Sequence, residues 1–188
     1  MKSNKSVWIA FGLLIIIASL YRVWSGRPFG FAPQIAMAIF SGTIVKDKKL
    51  AFALPLLSMF MSDALYQLLY VNGITSIPGF YQGQVTNYIL FAALTCFGFW
   101  VRTIHWQRIA AASLTAPTVY FLVSNFLVWT SGAGYQHPKT WGGLLMTLND
   151  GIPFYRNSLL ATVVFSAVLF GGYVLFNRMA RQQKQQLA

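Results

Sequence analysis

Three carboxylates, two imidazoles and one thiol are the whole stock of acid–base, metal-ligating and thiol chemistry in this 188-residue chain. Of the carboxylates, Asp47, Asp63 and Asp150, only Asp63 stands inside an apolar run. Tyr66, Gln67 and Tyr70 follow it at spacings of three, four and seven, which places them with it on one helical face. A carboxylate in such a run is costly unless paired or hydrated, so Asp63 marks a functional site, with Arg27 and Arg156 as its candidate partners. The competing reading is a salt bridge that only fixes helix packing.

The remaining chemistry is sparse. His105 and His137 fall on opposite sides of the membrane in the topology derived below and cannot share a metal, so neither a metal nor a cofactor is expected. Cys96, the only cysteine, excludes an internal disulfide or a cysteine cluster and is expected to be a buried, inert thiol. No phosphate-binding G-x-x-x-x-G-K-[ST] sequence occurs. His137 stands alone with Asp63 and Asp150 across a loop, so no Ser-His-Asp set is expected and the chain does not read as an enzyme.

The elements that must hold these residues are membrane helices. Hydrophobic residues make up 56% of the chain and charged ones 9%, with a mean hydropathy of +0.56, which excludes a soluble domain with a wetted surface. Apolar segments at about 7–23, 33–45, 50–71, 85–101, 109–129 and 153–176 predict an all-α integral membrane protein, one bundle of six transmembrane helices forming a single domain over 1–188. Lys2, Lys5, Lys46, Lys48, Lys49, Arg102, Arg108, Arg178, Arg181 and Lys184 fall on one side, whereas Arg22, Arg27, Lys139 and Arg156 fall on the other. That asymmetry places both termini in the cytoplasm. The net charge of +11 therefore orients the chain and meets anionic lipid headgroups, and no nucleic acid partner is implied.

Finer features follow. Met1 to Leu20 has the basic start and apolar core of a signal peptide, but Tyr21 and Arg22 stand where a small-residue cleavage site belongs, so the first helix is expected to be retained. The segment 33–45 is short and should lean or sit partly inside the bundle. Pro55 and Pro117 each leave a backbone carbonyl to be satisfied by neighbouring helices or side chains, and kinks are expected there. Ala38 with Gly42, Ala112 with Ala116 and Ala167 with Gly171 allow close helix approach, mostly as internal packing. Trp8, Trp24, Trp100 and Trp106 read as interfacial belt residues. Lys184 and its glutamine-rich neighbours read as a solvated end or an extension of the sixth helix.

Depth concentrates the polar groups. At about 1.5 Å per residue, Asp63 lies roughly 20 Å outward from Leu50, and Asn125 about 24 Å outward from Ile109. Asn87 and Tyr88 open the fourth span, Trp129 follows Asn125 by four, and Tyr155, Arg156 and Asn157 open the sixth, all at the outer level. The outer loops, 72–84 and 130–152, are longer, glycine- and aromatic-rich and nearly uncharged. Arg27, Asp63, Tyr66, Gln67, Asn87, Asn125, Trp129, Tyr155, Arg156 and Asn157 are accordingly expected to line an outward ligand pocket.

Arg27-Pro28, Phe31, Pro33, Ala36, Ala38, Phe40, Gly42, Pro55-Leu56, Ser62-Asp63, Asn125-Phe126, Trp129, Tyr135 with Pro138, Gly143-Leu144-Leu145, Ile152-Pro153-Phe154 and Asn157 resemble the pattern of an uncharacterised bacterial inner-membrane family, a domain of unknown function. More distantly, the layout is similar to the substrate-binding S-components of energy-coupling-factor (ECF) vitamin transporters. That resemblance implies six helices with both termini inside, capture of a micronutrient near the outer surface by the first, third and fifth loops, and a separate coupling subunit with ATPases on other chains. It adds Phe31 and Tyr135 to the expected pocket. The alanine pair with which many S-components dock the coupling subunit is not evident around Ala10, Gly12 and Ala18.

The resulting expectation is a membrane subunit that binds a vitamin or other micronutrient, with the lipid bilayer and an unknown small-molecule ligand as partners. The alternatives are a non-transport scaffold or assembly factor and, less favoured, a membrane enzyme.

Overall fold

A computed structural model describes residues 5–186 as an all-helical chain; Lys2 and the last two residues lie outside the described residues, as do the side chains of Lys5, Trp8 and Lys184. Six helices follow in order: α1 (Lys5–Val23), α2 (Gln34–Ile44), α3 (Lys48–Val71), α4 (Gln84–Val101), α5 (Trp106–Ser131) and α6 (Trp141–Gln186). Lys48–Val71, Gln84–Val101, Trp106–Ser131 and Trp141–Gln183 are long and apolar enough to cross a membrane, whereas Ile9–Val23 and Gln34–Ile44 are shorter apolar helices. Four of the six segments expected to cross are thus long and apolar enough to do so, and the 33–45 segment, expected to be short, is the 11-residue α2; α1 runs over 19 residues, of which Ile9–Val23 is described with its side chains.

Helix α2 is the centre of the bundle. Its 11 residues rise only about 16 Å, roughly half the thickness of a bilayer's hydrocarbon core. Gln34 through Gly42 are all buried, and the helix packs against α3, α4, α5 and α6. The closest approach is to α4. A Cβ on Gly42 would stand 2.4 Å from the Thr95 carbonyl oxygen, and one on Gly98 2.3 Å from that of Ile39. Only glycine at both positions lets the two backbones touch. Ala112 and Ala116 of α5 are likewise fully buried, but a Cβ at Gly171 would meet nothing within 4 Å and Ala167 is exposed, so the third small-residue pair makes no close helix crossing among the described residues. Phe40, Phe170 and Tyr173 close the core with edge-on ring contacts.

Two expectations need correction. The stretch expected to be a loop up to Ile152 is helical from Trp141 onward, which leaves only 132–140 as the connection. Gly143, Gly151 and Pro153 look like helix breakers, yet both glycines serve close contacts instead. A Cβ at Gly143 would collide with the Pro138 carbonyl, and one at Gly151 would stand 2.7 Å from the Asn125 side chain. The Thr140 hydroxyl accepts from the Gly143 amide at 3.2 Å and so starts the helix. Cys96 is exposed, not buried: Leu94, Thr95, Gly98 and Val101 form the packed stripe of α4, and Cys96 lies off it. At the other end of α6 the glutamine-rich tail continues the helix to Gln186.

Candidate functional site

Asp63 is buried on α3 and both of its oxygens are taken. Oδ1 pairs with the Arg22 guanidinium from the last turn of α1. Oδ2 accepts from Gln84 Nε2 and from the Tyr88 hydroxyl of α4, each at 2.7 Å. Gln84 also donates to the Gly79 carbonyl at 3.1 Å, and Gln67 Oε1 accepts the Gly79 and Phe80 amides at 3.1 and 3.2 Å, which pins the 72–83 connection over the same spot. Arg22 further donates to Ser62 Oγ at 2.5 Å. One carboxylate therefore ties α1, α3 and α4 together, with charge and hydrogen bonding satisfied. The expected partners, Arg27 and Arg156, are not the ones found; Arg22, read only as a loop flank, takes their place because it ends α1 facing α3.

Beside this hub lies a cavity of about 410 Å³. It is lined from the 24–33 connection by Arg27, Phe29, Gly30 and Ala32, from α2 by Gln34 and Ile35, and from α1 by Arg22. Helix α4 contributes Asn87 and Phe91, α5 contributes Pro117, Tyr120, Phe121, Ser124, Asn125 and Val128, and α6 contributes Gly151, Phe154, Tyr155 and Ser158. Six of its nineteen lining residues are aromatic. Phe121 and Tyr155 stack at 4.7 Å, while Phe91 with Tyr120 and Phe29 with Phe154 meet at 5.0 Å. A wider hollow between the start of α4 and the end of α5 shares Asn87, Tyr120, Ser124 and Val128 with it.

The polar groups of this cavity are less fully engaged. Arg27 donates through Nε to the Arg22 carbonyl at 2.5 Å and through Nη2 to the Tyr66 hydroxyl at 3.2 Å, and Tyr66 in turn donates to the Arg22 carbonyl at 2.9 Å. No carboxylate faces Arg27 among the described residues, whose two ion pairs are Arg22 with Asp63 and His137 with Asp150. Gln34 is 2% exposed, and its Oε1 has no hydrogen-bond partner. Asn87 is held by Tyr120 at 2.6 Å and Tyr81 at 3.0 Å; Asn125 donates to the Phe121 carbonyl at 2.8 Å, and Tyr155 meets Thr118 at 2.9 Å.

Of the residues expected to share a pocket, Arg27, Asn87, Asn125 and Tyr155 line this cavity. Asp63, Tyr66 and Gln67 stand behind it in the hub and its loop anchor. Phe31 packs on Phe165, and Asn157 donates to the Phe29 carbonyl at 2.8 Å, so each braces the 24–33 connection. Trp129 donates to the Pro138 carbonyl at 2.9 Å and carries Lys139 over its ring, which holds the 132–140 connection. Tyr135 and Arg156 are exposed outside the cavity. Gln34, Tyr120, Phe121 and Ser124 escaped the sequence reading because a glutamine at the head of an apolar helix and aromatics within one look like ordinary packing. His137 does not stand alone: its Nε2 meets Asp150 Oδ2 at 2.6 Å across the turn into α6. Trp24, Trp100 and Trp106 are exposed and line neither hollow.

The chain belongs to a family of unknown function, DUF6580, whose family model matches residues 2–186. No curated protein and no solved structure matches it.

Proposed function

We propose that this member of the DUF6580 family is an integral membrane substrate-binding subunit for uptake of a vitamin or other micronutrient, similar in role to an ECF S-component. The carrying observation is the cavity of about 410 Å³ in which aromatic walls from α4, α5 and α6 meet a guanidinium, that of Arg27, with no counter-charge among the described residues and an amide oxygen, Gln34 Oε1, with no hydrogen-bond partner. Its size falls within the roughly 300–1,000 Å³ of small-molecule sites. The charge distribution supports an arrangement in the bacterial cytoplasmic membrane with both termini inside and the Asp63 end of the bundle facing out. Energy for release on the inner side would come from a separate coupling subunit with ATPases, because this chain carries no phosphate-binding loop.

Two experiments test the reading. Native mass spectrometry of the purified protein is expected to find a co-purifying small molecule, and cells lacking the protein are expected to accumulate that molecule more slowly. Unchanged accumulation would remove the transport role and favour a scaffold. For orientation, reporters after Ala188 and near Lys48 are expected to be active in the cytoplasm and one at Gly134 outside; cytoplasmic labelling of the Gly134 site would overturn the six-span arrangement.

A further inference from the structure

We propose that the cavity takes an organic monocarboxylate with a flat aromatic body, its carboxylate held by Arg27 and a polar ring substituent by Gln34. The proposal rests on the binding role above and names the class of ligand that role would serve.

Charge sets the first requirement. Two guanidiniums, Arg22 and Arg27, border the cavity, and the one carboxylate near them, Asp63, has spent both oxygens on Arg22, Gln84 and Tyr88. One positive charge is left over. A cation partly withdrawn from water is stabilised by an anion that brings its own charge into the site. Arg27 also retains the donors to receive one. Of the five N–H groups of a guanidinium, Nε, one on Nη2 and one on Nη1 are occupied, the last by the Pro28 carbonyl at 3.4 Å. One N–H remains on each terminal nitrogen, the pair that a carboxylate engages bidentately. A doubly charged phosphate would over-compensate the single excess charge and leave a net negative charge in a low-dielectric site.

Gln34 sets the second requirement. Gln34 lines the cavity and is almost completely buried; its Nε2 donates to Ser58 Oγ at 3.4 Å while Oε1 has no partner. Turning the amide over only exchanges which end is bare. A buried polar atom without a partner is destabilising in the empty protein and becomes satisfied when a ligand N–H or O–H reaches it. The other buried polar atoms without partners, on Thr95, Ser113 and Ser166, do not line the cavity. Between these anchors the wall is built of ring faces and edges, including the stacked Phe121 and Tyr155, which suits a planar aromatic body better than a branched aliphatic one.

The test is isothermal titration of the detergent-purified protein with 4-aminobenzoate, 4-aminobenzamide and 4-aminobenzylamine, which share an aminophenyl ring and carry an anionic, a neutral and a cationic group para to the amine. The acid is expected to bind at least about tenfold more tightly than the amide, and the amine most weakly. Arg27→Gln is expected to abolish the advantage of the acid over the amide. Gln34→Met is expected to weaken the acid several-fold while leaving the melting temperature of the empty protein unchanged or higher. Should Arg27→Gln fail to fold, Arg27→Lys keeps the charge without the fork and is expected to reduce, not remove, the preference for the acid. Equal or tighter binding of the amide or amine, an acid preference that survives Arg27→Gln, tighter binding of phenyl phosphate than of 4-aminobenzoate, or no binding of any probe at roughly 10 mM would each overturn the proposal. These outcomes concern the charge and shape of the ligand alone. A carboxylate preference without any effect on cellular uptake would retain this inference and reject the transport role, and uptake of a neutral molecule would do the reverse.

Discussion

The Asp63 hub and the cavity beside it are both polar, both lie at the same end of the bundle and both use Arg22, yet they are opposites in hydrogen-bond economy. In the hub every carboxylate lone-pair direction that matters is met: Arg22 on one oxygen, Gln84 and Tyr88 on the other. In the cavity Arg27 has no counter-charge among the described residues and Gln34 Oε1 has no partner. A saturated polar cluster locks helices together; an unsaturated one with room beside it is what a ligand can complete. Polarity inside an apolar bundle does not by itself mark a binding site, and the distinguishing feature is whether the protein has already answered its own polar groups.

The largest effect should come from breaking the hub. Asp63→Asn removes the counter-charge of Arg22, which is 19% exposed in its side chain, and is expected to lower stability by about 3 kcal/mol in detergent denaturation. Adding Arg22→Met should recover most of that loss, the non-additivity expected of directly paired groups. Independent behaviour of the two substitutions would show that the pair does not organise the hub.

A smaller loss is expected far from either polar region. Gly98→Ala places a Cβ against the Ile39 carbonyl at the crossing of α2 and α4, and overpacking of that kind is expected to cost about 2 kcal/mol. Because it leaves hub and cavity side chains intact, it should lower the melting temperature without altering the choice among ligands. A change in ligand preference would mean that the position of α2, not the side chains it presents, sets specificity.

The smallest effect is expected at Tyr88. Tyr88→Phe deletes one of three donors to Asp63 while leaving Arg22 and Gln84 in place, for an expected loss of about 1 kcal/mol. Calorimetric melting in one detergent would rank the three variants.

The sequence made the helices legible because each carries a long apolar run, and for α1 to α5 the boundaries fall within a few residues of those runs. It misplaced the start of α6, since Gly143, Gly151 and Pro153 carry the signature of a loop and the close contacts that call for the glycines are made with Pro138 and α5. Asp63 was legible as an isolated carboxylate in an apolar run. Its partner was not, because spacing along one helix says nothing about which arginine of another helix faces it. The cavity was legible only in part: Asn87 and Asn125 stand out as polar residues in apolar helices, whereas Gln34 acquires meaning only once α2 is seen to be buried from Gln34 through Gly42.

The central claim is that ligand occupancy follows the unsaturated cavity and not the saturated hub. Native mass spectrometry of the wild type, Arg27→Gln and Tyr88→Phe, purified identically, tests it most directly. The expected result is a co-purifying molecule on the wild type and on Tyr88→Phe and none on Arg27→Gln; loss from Tyr88→Phe with retention on Arg27→Gln, or an unoccupied wild type, would contradict it.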